Sequence, residues 1–163
     1  MRALLALFAL VQISAADFLE IRQVVEARKG AKTYEAPRPP GQEQNAPAEK
    51  LTVSDELIIG DRHLAEASPV EEQDGTSVAV KLNPEGEQRM IAATKDGKPG
   101  VLRLAVIIDG KIRTAPVVNS VPLGKNFQIS GTSPEEAKEL TNKLRAAIEA
   151  AKKAEAEKGE KKE

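Results

Sequence analysis

The sequence of 163 residues contains no cysteine and no tryptophan, and its single histidine is His63. Without cysteine the chain has no disulfide, no thiolate metal ligand and no cysteine nucleophile. A single imidazole does not make a multi-histidine metal cluster. Only three Phe and one Tyr are present, and the formal net charge is −1. Because nucleic-acid surfaces rely on phosphate contacts and base stacking, this composition argues against a nucleic-acid partner.

Long apolar runs are also scarce, and the one present lies at the amino end. Arg2 gives a positive start, residues 3–13 are apolar apart from Gln12, and Ser14 and Ala16 are small residues at the −3 and −1 positions. A membrane anchor is the alternative, but spanning a bilayer takes about 20 apolar residues. The pattern predicts a signal peptide cleaved after Ala16. We therefore expect an exported chain, periplasmic or secreted, with no integral membrane segment.

Composition divides the remaining chain into folded and solvated parts. Residues 29–50 are rich in Pro, Gln, Glu and Ala, and such a segment cannot bury enough apolar surface to offset its ordering entropy. The final residues are almost all Ala, Glu and Lys, which is typical of a solvated helix that frays. We predict a signal peptide at 1–16, an N-terminal strand at 17–28, a Pro-rich linker or loop at 29–50, a folded domain at 51–151 and a charged tail at 152–163.

Turn dipeptides and alternation predict the strands. Asp74-Gly75 is a strong hairpin signal because both positions tolerate positive φ, and Asp109-Gly110 provides a second turn. The run before Asp109 is apolar apart from Arg103, which is typical of a central strand buried on both faces. Strands are predicted at 18–26, at 51–53 and 57–59 as a short pair or one bent strand, and at 70–73, 76–82, 101–108, 111–118 and 126–130.

Capping residues predict two main helices and one short helical turn. Asn83 caps the first helix, which Pro84 begins, and its inner face is formed by Met90, Ile91 and Thr94. Asp61 is the candidate N-cap of a short helical turn at 61–66.

The second helix has the clearest start. Ser133, Pro134 and Glu136 form a capping-box pattern, and an apolar stripe follows at helical spacing. The stripe comprises Ala137, Leu140, Thr141, Leu144, Ile148 and Ala151. Together with the strands, the two helices predict an α+β fold with a mostly antiparallel sheet that carries helices on one face.

No set of residues in the sequence matches a catalytic, metal-binding or cofactor-binding motif. His63 lies in the short helical turn, where we expect an exposed structural histidine, and no G-x-S-x-G turn accompanies it. The Asp-Gly pairs lack the further oxygen ligands of a calcium loop and indicate turns. No phosphate-binding glycine motif occurs, since Pro99 interrupts the nearest one. We therefore predict no catalytic, cofactor-binding or metal-binding residues.

Two stretches in the second half of the sequence contain more distinctive residues than a turn or an apolar strand alone would need. They are Val106-Ile-Ile-Asp-Gly-Lys-Ile-Arg-Thr-Ala-Pro-Val-Val-Asn119, and Gln128-Ile-Ser-Gly131 followed by Ser133-Pro-Glu-Glu-Ala137. Together they resemble the head subdomain of the first periplasmic domain of SecD and SecDF, the export-assisting subunits of the Sec translocase. Upstream, the spacing of Leu82, Gly86, Met90 and Thr94 is similar to that family's helix entry, with Met where Phe is usual. Leu51, Val53, Ile59, Gly60, Leu64 and Ala67 resemble the preceding segment, and Phe18-Leu-Glu-Ile-Arg22 is similar to the opening strand of stand-alone relatives.

The resemblance implies a SecD-head-like fold and a set of signature residues with mainly structural roles. These are Gly60, Ala67, Gly86, Thr94, Asp109, Gly110, Ala115, Pro116, Ile129, Gly131, Glu136 and Ala137. Family members couple export to proton flow through membrane helices, and this sequence has no matching apolar segments. We therefore expect a module that does not itself conduct protons.

Three functional hypotheses follow. The first is a non-enzymatic exported module that contacts a polypeptide, whether an exported chain, a Sec component or another envelope protein. An edge strand near Lys111, Arg113, Pro116 and Val118 is the expected docking place, by strand addition. The second is a secreted hydrolase or small-molecule-binding protein that uses His63 and nearby carboxylates. The third is a purely structural envelope protein.

Overall fold

Antiparallel pairing between neighbouring strands builds two separate sheets. A computed structural model of the chain describes residues 16–27, 31–36, 49–73 and 75–160, with side chains to residue 157. The strands are β1 (Leu19–Val25), β2 (Lys32–Glu35), β3 (Lys50–Val53), β4 (Leu64–Glu72), β5 (Gly75–Leu82), β6 (Leu104–Ile108), β7 (Lys111–Thr114) and β8 (Asn126–Thr132). The helices are α1 (Pro84–Thr94) and α2 (Pro134–Glu160), with a 3-10 turn at Asp61–His63.

The larger sheet has five strands in the order β2-β3-β1-β6-β7, and the smaller has three in the order β4-β5-β8. Every pairing between the described strands is antiparallel. The fold is therefore α+β, antiparallel and with two main helices, as predicted, but the strands form two sheets instead of the single sheet expected.

Strand β6 lies inside the larger sheet and is buried on both faces. Leu104 and Val106 face the main core, and Ala105 and Ile107 face a second core. Because successive side chains of a strand point to opposite faces, an unbroken apolar run serves both cores at once. This confirms the prediction of a central strand, although the strand begins at Leu104 rather than at residue 101. Val101 is 71% exposed.

The main core joins the two sheets to the helices. It contains Leu19 and Ile21 of β1, Val78 and Val80 of β5, Ile129 of β8 and Met90 of α1. Helix α2 contributes Ala137, Leu140, Leu144 and Ile148, which confirms its predicted stripe. Full burial of one Leu or Ile side chain contributes roughly 1.5–3 kcal/mol relative to exposure, so this stripe holds α2 against the sheets.

The five-stranded sheet curls around the second core. Tyr34 of β2 and Ile112 of β7 pack in the same cluster although their strands are at opposite edges of the sheet. Leu51 and Val53 of β3 are also buried in this second core. The curl brings the two edge strands towards each other and leaves a small cleft between residues 34–36 and 110–112.

Strand β2 corrects the prediction for residues 29–50. Lys32–Glu35 pairs residue for residue with Lys50–Val53 instead of forming part of a linker or loop. Thr33 and Tyr34 are strand-favouring residues, and the hydrogen bonds to β3 are long-range contacts that local composition does not reveal. The prolines between the two strands and the predicted signal peptide before Ala16 lie outside the described residues.

Several local predictions also need correction. Residues 57–59 form only a single bridge, between Ile59 and Ile21, and not a strand. The predicted helical turn at 61–66 ends at His63, and β4 begins at Leu64. Ile91 of α1 is 36% exposed rather than on the inner face, whereas Met90 and Thr94 are buried.

The caps of both helices are largely as predicted. Asn83 Oδ1 accepts a hydrogen bond from the Gly86 N–H over 2.9 Å, and Pro84 is the first residue of α1. At α2, Ser133 Oγ accepts from the Glu136 N–H over 3.2 Å. The capping box is one-sided, however, because the Glu136 carboxylate binds Arg113 instead of returning to the cap.

Candidate functional site

His63 is buried, which corrects the expectation of an exposed imidazole. Only 1% of the residue is exposed. It closes the 3-10 turn: the His63 N–H donates to Gly60 O over 2.9 Å, and the Gly60 N–H donates to Nδ1 over 2.8 Å. The turn therefore folds the ring back under its own backbone. A ring held there is part of the packing and has no open face for a substrate.

Both ring nitrogens of His63 are in contact with polar partners. Nδ1 accepts from the Gly60 N–H, and Nε2 accepts from Arg62 Nε over 3.1 Å and lies 3.4 Å from the Glu85 carboxylate. Burial lowers the pKa of His63 below its ordinary value, and Arg62 and Arg89 lower the pKa further, while Glu85 opposes them. The ring is thus held neutral, and no group of three metal-ligating side chains occurs among the described residues.

The Asp109-Gly110 turn sets up the edge of the larger sheet. Both residues have positive φ, 50° and 72° respectively, as a two-residue hairpin turn requires. The Asp109 N–H also donates to Phe18 O over 2.9 Å, which ties the turn to the start of β1. The turn places β7 beside β6, at the end of the sheet order. Among the described strands, none pairs with the outer side of β7.

A groove of about 360 Å³ lies between the β6–β7 hairpin and α2. Its lining includes the apolar residues Phe18, Ile108 and Leu140. Charged side chains of both signs surround them: Asp109, Lys111, Arg113, Glu136, Glu139 and Lys143. The groove therefore combines apolar and charged side chains beside a strand edge that pairs with no other described strand. We call it the hairpin–helix groove.

Arg113 fastens the hairpin to α2. Its Nη1 lies 2.8 Å from Glu136 Oε1, and its Nη2 donates to Gly131 O over 3.1 Å. Gly131, the residue before the last of β8, has a φ of 75°, a conformation that favours glycine. Two signature residues, Gly131 and Glu136, are thus brought together by Arg113. Both hold one wall of the groove in place.

A second ion pair lies further along the same helix face. Lys143 Nζ and Glu139 Oε1 are 2.6 Å apart. Their contact holds the pKa of Glu139 below its ordinary value and that of Lys143 above it. Glu139 and Lys143 were not among the predicted site residues, and Phe18 was predicted only as part of the opening strand. The i,i+4 spacing of Glu139 and Lys143 is a signal for the pair, but not for its position beside β7.

The expected docking edge is shorter than the sequence suggested. The Val118 N–H donates to Leu102 O over 2.7 Å, Val118 O accepts from Gly100, and the residue is buried. Pro116 is exposed, but its carbonyl accepts from the Leu104 N–H over 3.2 Å. Lys111 and Arg113 remain on the edge strand itself. The candidate site is therefore β7 together with the hairpin–helix groove.

The remaining signature residues have packing or hydrogen-bonding roles. Thr94 Oγ1 donates to Met90 O over 2.7 Å and accepts from the Leu123 N–H over 2.9 Å. Ala67 is buried, and its carbonyl accepts from Arg145 Nε over 2.9 Å. Ala115 packs against the second core, and Ile129 and Ala137 are fully buried in the main core.

At two signature positions glycine is needed because other atoms lie too close for a side chain, and not because of the backbone φ angle. A Cβ at Gly60 would collide with the Asp17 carboxylate, and one at Gly86 would meet His63 O and Cβ. Both residues therefore allow segments from elsewhere in the chain to pack against their backbone.

Comparison with known proteins decides the family. The model of the SecDF P1 head subdomain matches residues 33–150. The chain belongs to the SecDF P1 head family. The match begins at the second residue of β2, so the family domain includes the strand that composition alone assigned to a linker.

One relative of this head subdomain is a much longer protein. The protein translocase subunit SecDF of Thermus thermophilus is 37% identical over 87 residues, which are 51% of this chain and 11% of that protein. The chain thus spans about a tenth of the length of that relative. None of the described helices of this head subdomain combines the length and apolarity needed to cross a bilayer.

Two solved structures share the fold. One, titled as a membrane component SecDF that enhances protein export, has a TM-score of 0.58 and 26% identity and covers 80% of this chain and 62% of its own. The other, SecDF in a super-membrane-facing form, has a TM-score of 0.57 and 28% identity and covers 79% of this chain and 18% of its own. The resemblance inferred from the motifs is thereby confirmed.

Proposed function

We propose that this chain is an exported, non-enzymatic module that contacts extended polypeptides during protein export or envelope biogenesis. The observation that carries the proposal is the unpaired edge of β7 beside the hairpin–helix groove, in a member of a family whose solved relative is titled a component that enhances protein export. The bound polypeptide would be an exported chain, a Sec component or another envelope protein.

Strand addition supplies affinity without requiring a particular sequence. An edge strand presents a row of N–H and C=O groups, and an extended peptide pairs with them through its backbone. Strand β7 also carries protective features, since Lys111 is exposed and the pairing register shifts between Val106 and Ile107. These features limit uncontrolled pairing, which suits a transient partner better than a permanent one.

The hairpin–helix groove would receive side chains of the added strand. Alternate side chains of a strand point to one face, so every second residue of the peptide would point towards α2. Apolar side chains would contact Ile108 and Leu140, while the ion pairs around them tolerate either charge. The groove contains no Trp or Tyr, the residues that anchor tight interfaces. Weak binding of many sequences follows from this composition.

Cleavage after Ala16 would place this module outside the cytoplasm. The amino-terminal pattern supports export, and the absence of cysteine is compatible with an oxidising compartment. We therefore propose a periplasmic or secreted location for the mature chain.

Photocrosslinking tests the proposal. The photoreactive residue p-benzoylphenylalanine replaces Lys111, and in a matched variant it replaces Lys81, an exposed lysine on a strand of the other sheet. The probe is reduced, carboxymethylated α-lactalbumin, a soluble unfolded polypeptide. We expect crosslinks from position 111 to the unfolded probe, and far fewer from position 81.

Native α-lactalbumin serves as the control for the state of the probe. Equal crosslinking of native and unfolded probe would contradict recognition of extended chains. Equal crosslinking from positions 111 and 81 would contradict the assigned surface. No crosslinking from either position would favour a purely structural envelope role.

A further inference from the structure

Residues 17–19 are held tightly against the 3-10 turn. The Asp61 carboxylate accepts hydrogen bonds from the Phe18 N–H over 2.7 Å and from the Leu19 N–H over 2.9 Å. In return, Asp17 Oδ1 accepts from the Asp61 N–H over 3.1 Å. These reciprocal bonds join segments more than 40 residues apart in sequence. We call this arrangement the Asp17–Asp61 clasp.

The clasp begins at the residue that follows the predicted cleavage site. Ala16 is exposed, whereas Asp17 is half-buried and Leu19 is fully buried. The Asp17 carboxylate lies so close to Gly60 that a Cβ there would collide with it. The described helices and strands run from Leu19 to Glu160, and Asp17 lies two residues before the first of them.

The clasp is rich in negative charge. Burial raises the pKa of Asp61, and the charges of Asp17 and Glu20 raise the pKa further against the two backbone hydrogen bonds. The nearby cation Arg22 is occupied elsewhere, with Glu20 at 2.6 Å and the Ser54 carbonyl. Among the described residues, no ion pair is formed by Asp17 or Asp61. A cation placed here would compensate two carboxylates at once.

We propose that the α-ammonium of Asp17, created by cleavage after Ala16, is the counter-ion of the Asp17–Asp61 clasp, so that processing stabilises the fold. Hydrolysis of the Ala16–Asp17 peptide bond consumes one water and leaves a carboxylate on Ala16 and an amine on Asp17. An α-amino group has an ordinary pKa near 8 and is protonated at neutral pH. This inference rests on the export proposed above.

Chain geometry keeps this charge close to the clasp. The nitrogens of adjacent residues are at most about 3.7 Å apart in an extended chain, and the Phe18 nitrogen is 2.7 Å from Asp61 Oδ2. The Asp17 nitrogen is thus within roughly 6.5 Å of that oxygen. At such a distance an opposite charge favours the ionised state of both groups. In the unprocessed chain the same nitrogen is an uncharged amide.

The test compares purified chains with defined amino ends, so its result does not depend on whether cells cleave the chain. Residues 17–163 are released from a fusion with a free Asp17 amine, and half of the sample is produced with that amine acetylated. Urea unfolding is measured at a pH of about 6.5, below the ordinary pKa of the amine. If folding raises the pKa of the amine by one unit, the unfolding equilibrium constant of the acetylated chain is about tenfold larger than that of the chain with the free amine.

Two variants distinguish a specific interaction of the Asp17 ammonium with the clasp from a general effect of terminal charge on stability. In the Asp61→Asn chain, which keeps the Asp17 carboxylate, we expect a much smaller difference between free and acetylated ends. Gly60→Ala, which displaces Asp17, provides the same comparison should Asp61→Asn not fold. Equal stability of the free and acetylated wild-type chains would overturn the inference, and so would an undiminished difference in the folded variants. The mass of the exported chain tests the cleavage itself.

Discussion

At the residue scale, His63 illustrates how a local pattern misjudges burial. Its position after Asp61 and Arg62 is typical of an exposed polar turn, yet the imidazole is buried and binds the Gly60 N–H. The burial depends on Gly86 of α1, whose missing side chain leaves room for the His63 backbone. No signal near His63 in the sequence reveals a contact with a helix that begins at Pro84.

The lowered pKa of His63 predicts a loss of stability on mild acidification. A group whose pKa is lower in the folded state contributes stability above its unfolded pKa, about 6.5, and loses it as pH falls towards the folded pKa. We expect the urea midpoint of the wild-type chain to fall between a pH of about 7.5 and one of about 5.5. His63→Gln, which does not titrate, should have a flatter profile although it is less stable at neutral pH.

The groups that face His63 are Arg62 on the same turn, Arg89 and Glu85 on α1, and the Gly60 N–H. Of these, only Glu85 is acidic, and its carboxylate lies 3.4 Å from Nε2. An identical pH profile for wild type and His63→Gln would contradict the assignment of the effect to the imidazole.

At the element scale, the sequence predicted what is local and failed where distant contacts decide. Asn83, Pro84 and Ser133 specify the starts of the helices, and Asp109-Gly110 specifies the β6–β7 hairpin, because caps and turns depend on adjacent residues. The hairpin around Asp74-Gly75 was predicted too, although Asp74 lies outside the described residues. By contrast, Glu136 was assigned to a capping box, but its carboxylate pairs with Arg113. Local sequence does not reveal this pair, because it forms only when the β6–β7 hairpin packs beside α2.

The one-sided cap of α2 leads to a prediction for the free energy of unfolding. Ser133→Ala removes the acceptor for the Glu136 N–H and should lower the free energy of unfolding by about 1 kcal/mol. Glu136→Gln removes only a half-exposed ion pair with Arg113, for which we expect less than about 1 kcal/mol. Urea unfolding of both variants measures the difference. A larger loss in Glu136→Gln than in Ser133→Ala would mean that the carboxylate, and not the serine, holds the start of the helix.

At the scale of the whole molecule, the sequence predicted the fold class but not the arrangement of strands. Strand β1 lies between β3 and β6, and β2 extends the sheet from a segment predicted as linker or loop. Such order depends on pairing between distant segments, and one sequence contains no direct signal for it. The second core was missed for the same reason, since it forms only when the sheet curls and brings Tyr34 towards Ile112.

The same arrangement produces the candidate site. The motif from Val106 to Asn119 was singled out from the sequence, and Lys111 and Arg113 were assigned to an edge. Their partner surface on α2 could not be predicted, because it is created by packing of the helix against the hairpin. The docking proposal is thus a property of the folded chain and not of one motif.

Amide hydrogen exchange tests the central claim most directly. Residues 17–163 are measured alone and with an excess of reduced, carboxymethylated α-lactalbumin, and exchange is followed in β7 and in β8, an edge strand of the other sheet. Strand addition at β7 predicts slower exchange of amides within Lys111–Thr114, with β8 unchanged. Unchanged exchange in β7 while the probe is bound, or protection of β8 instead, would contradict the proposal that this module contacts extended polypeptides through β7.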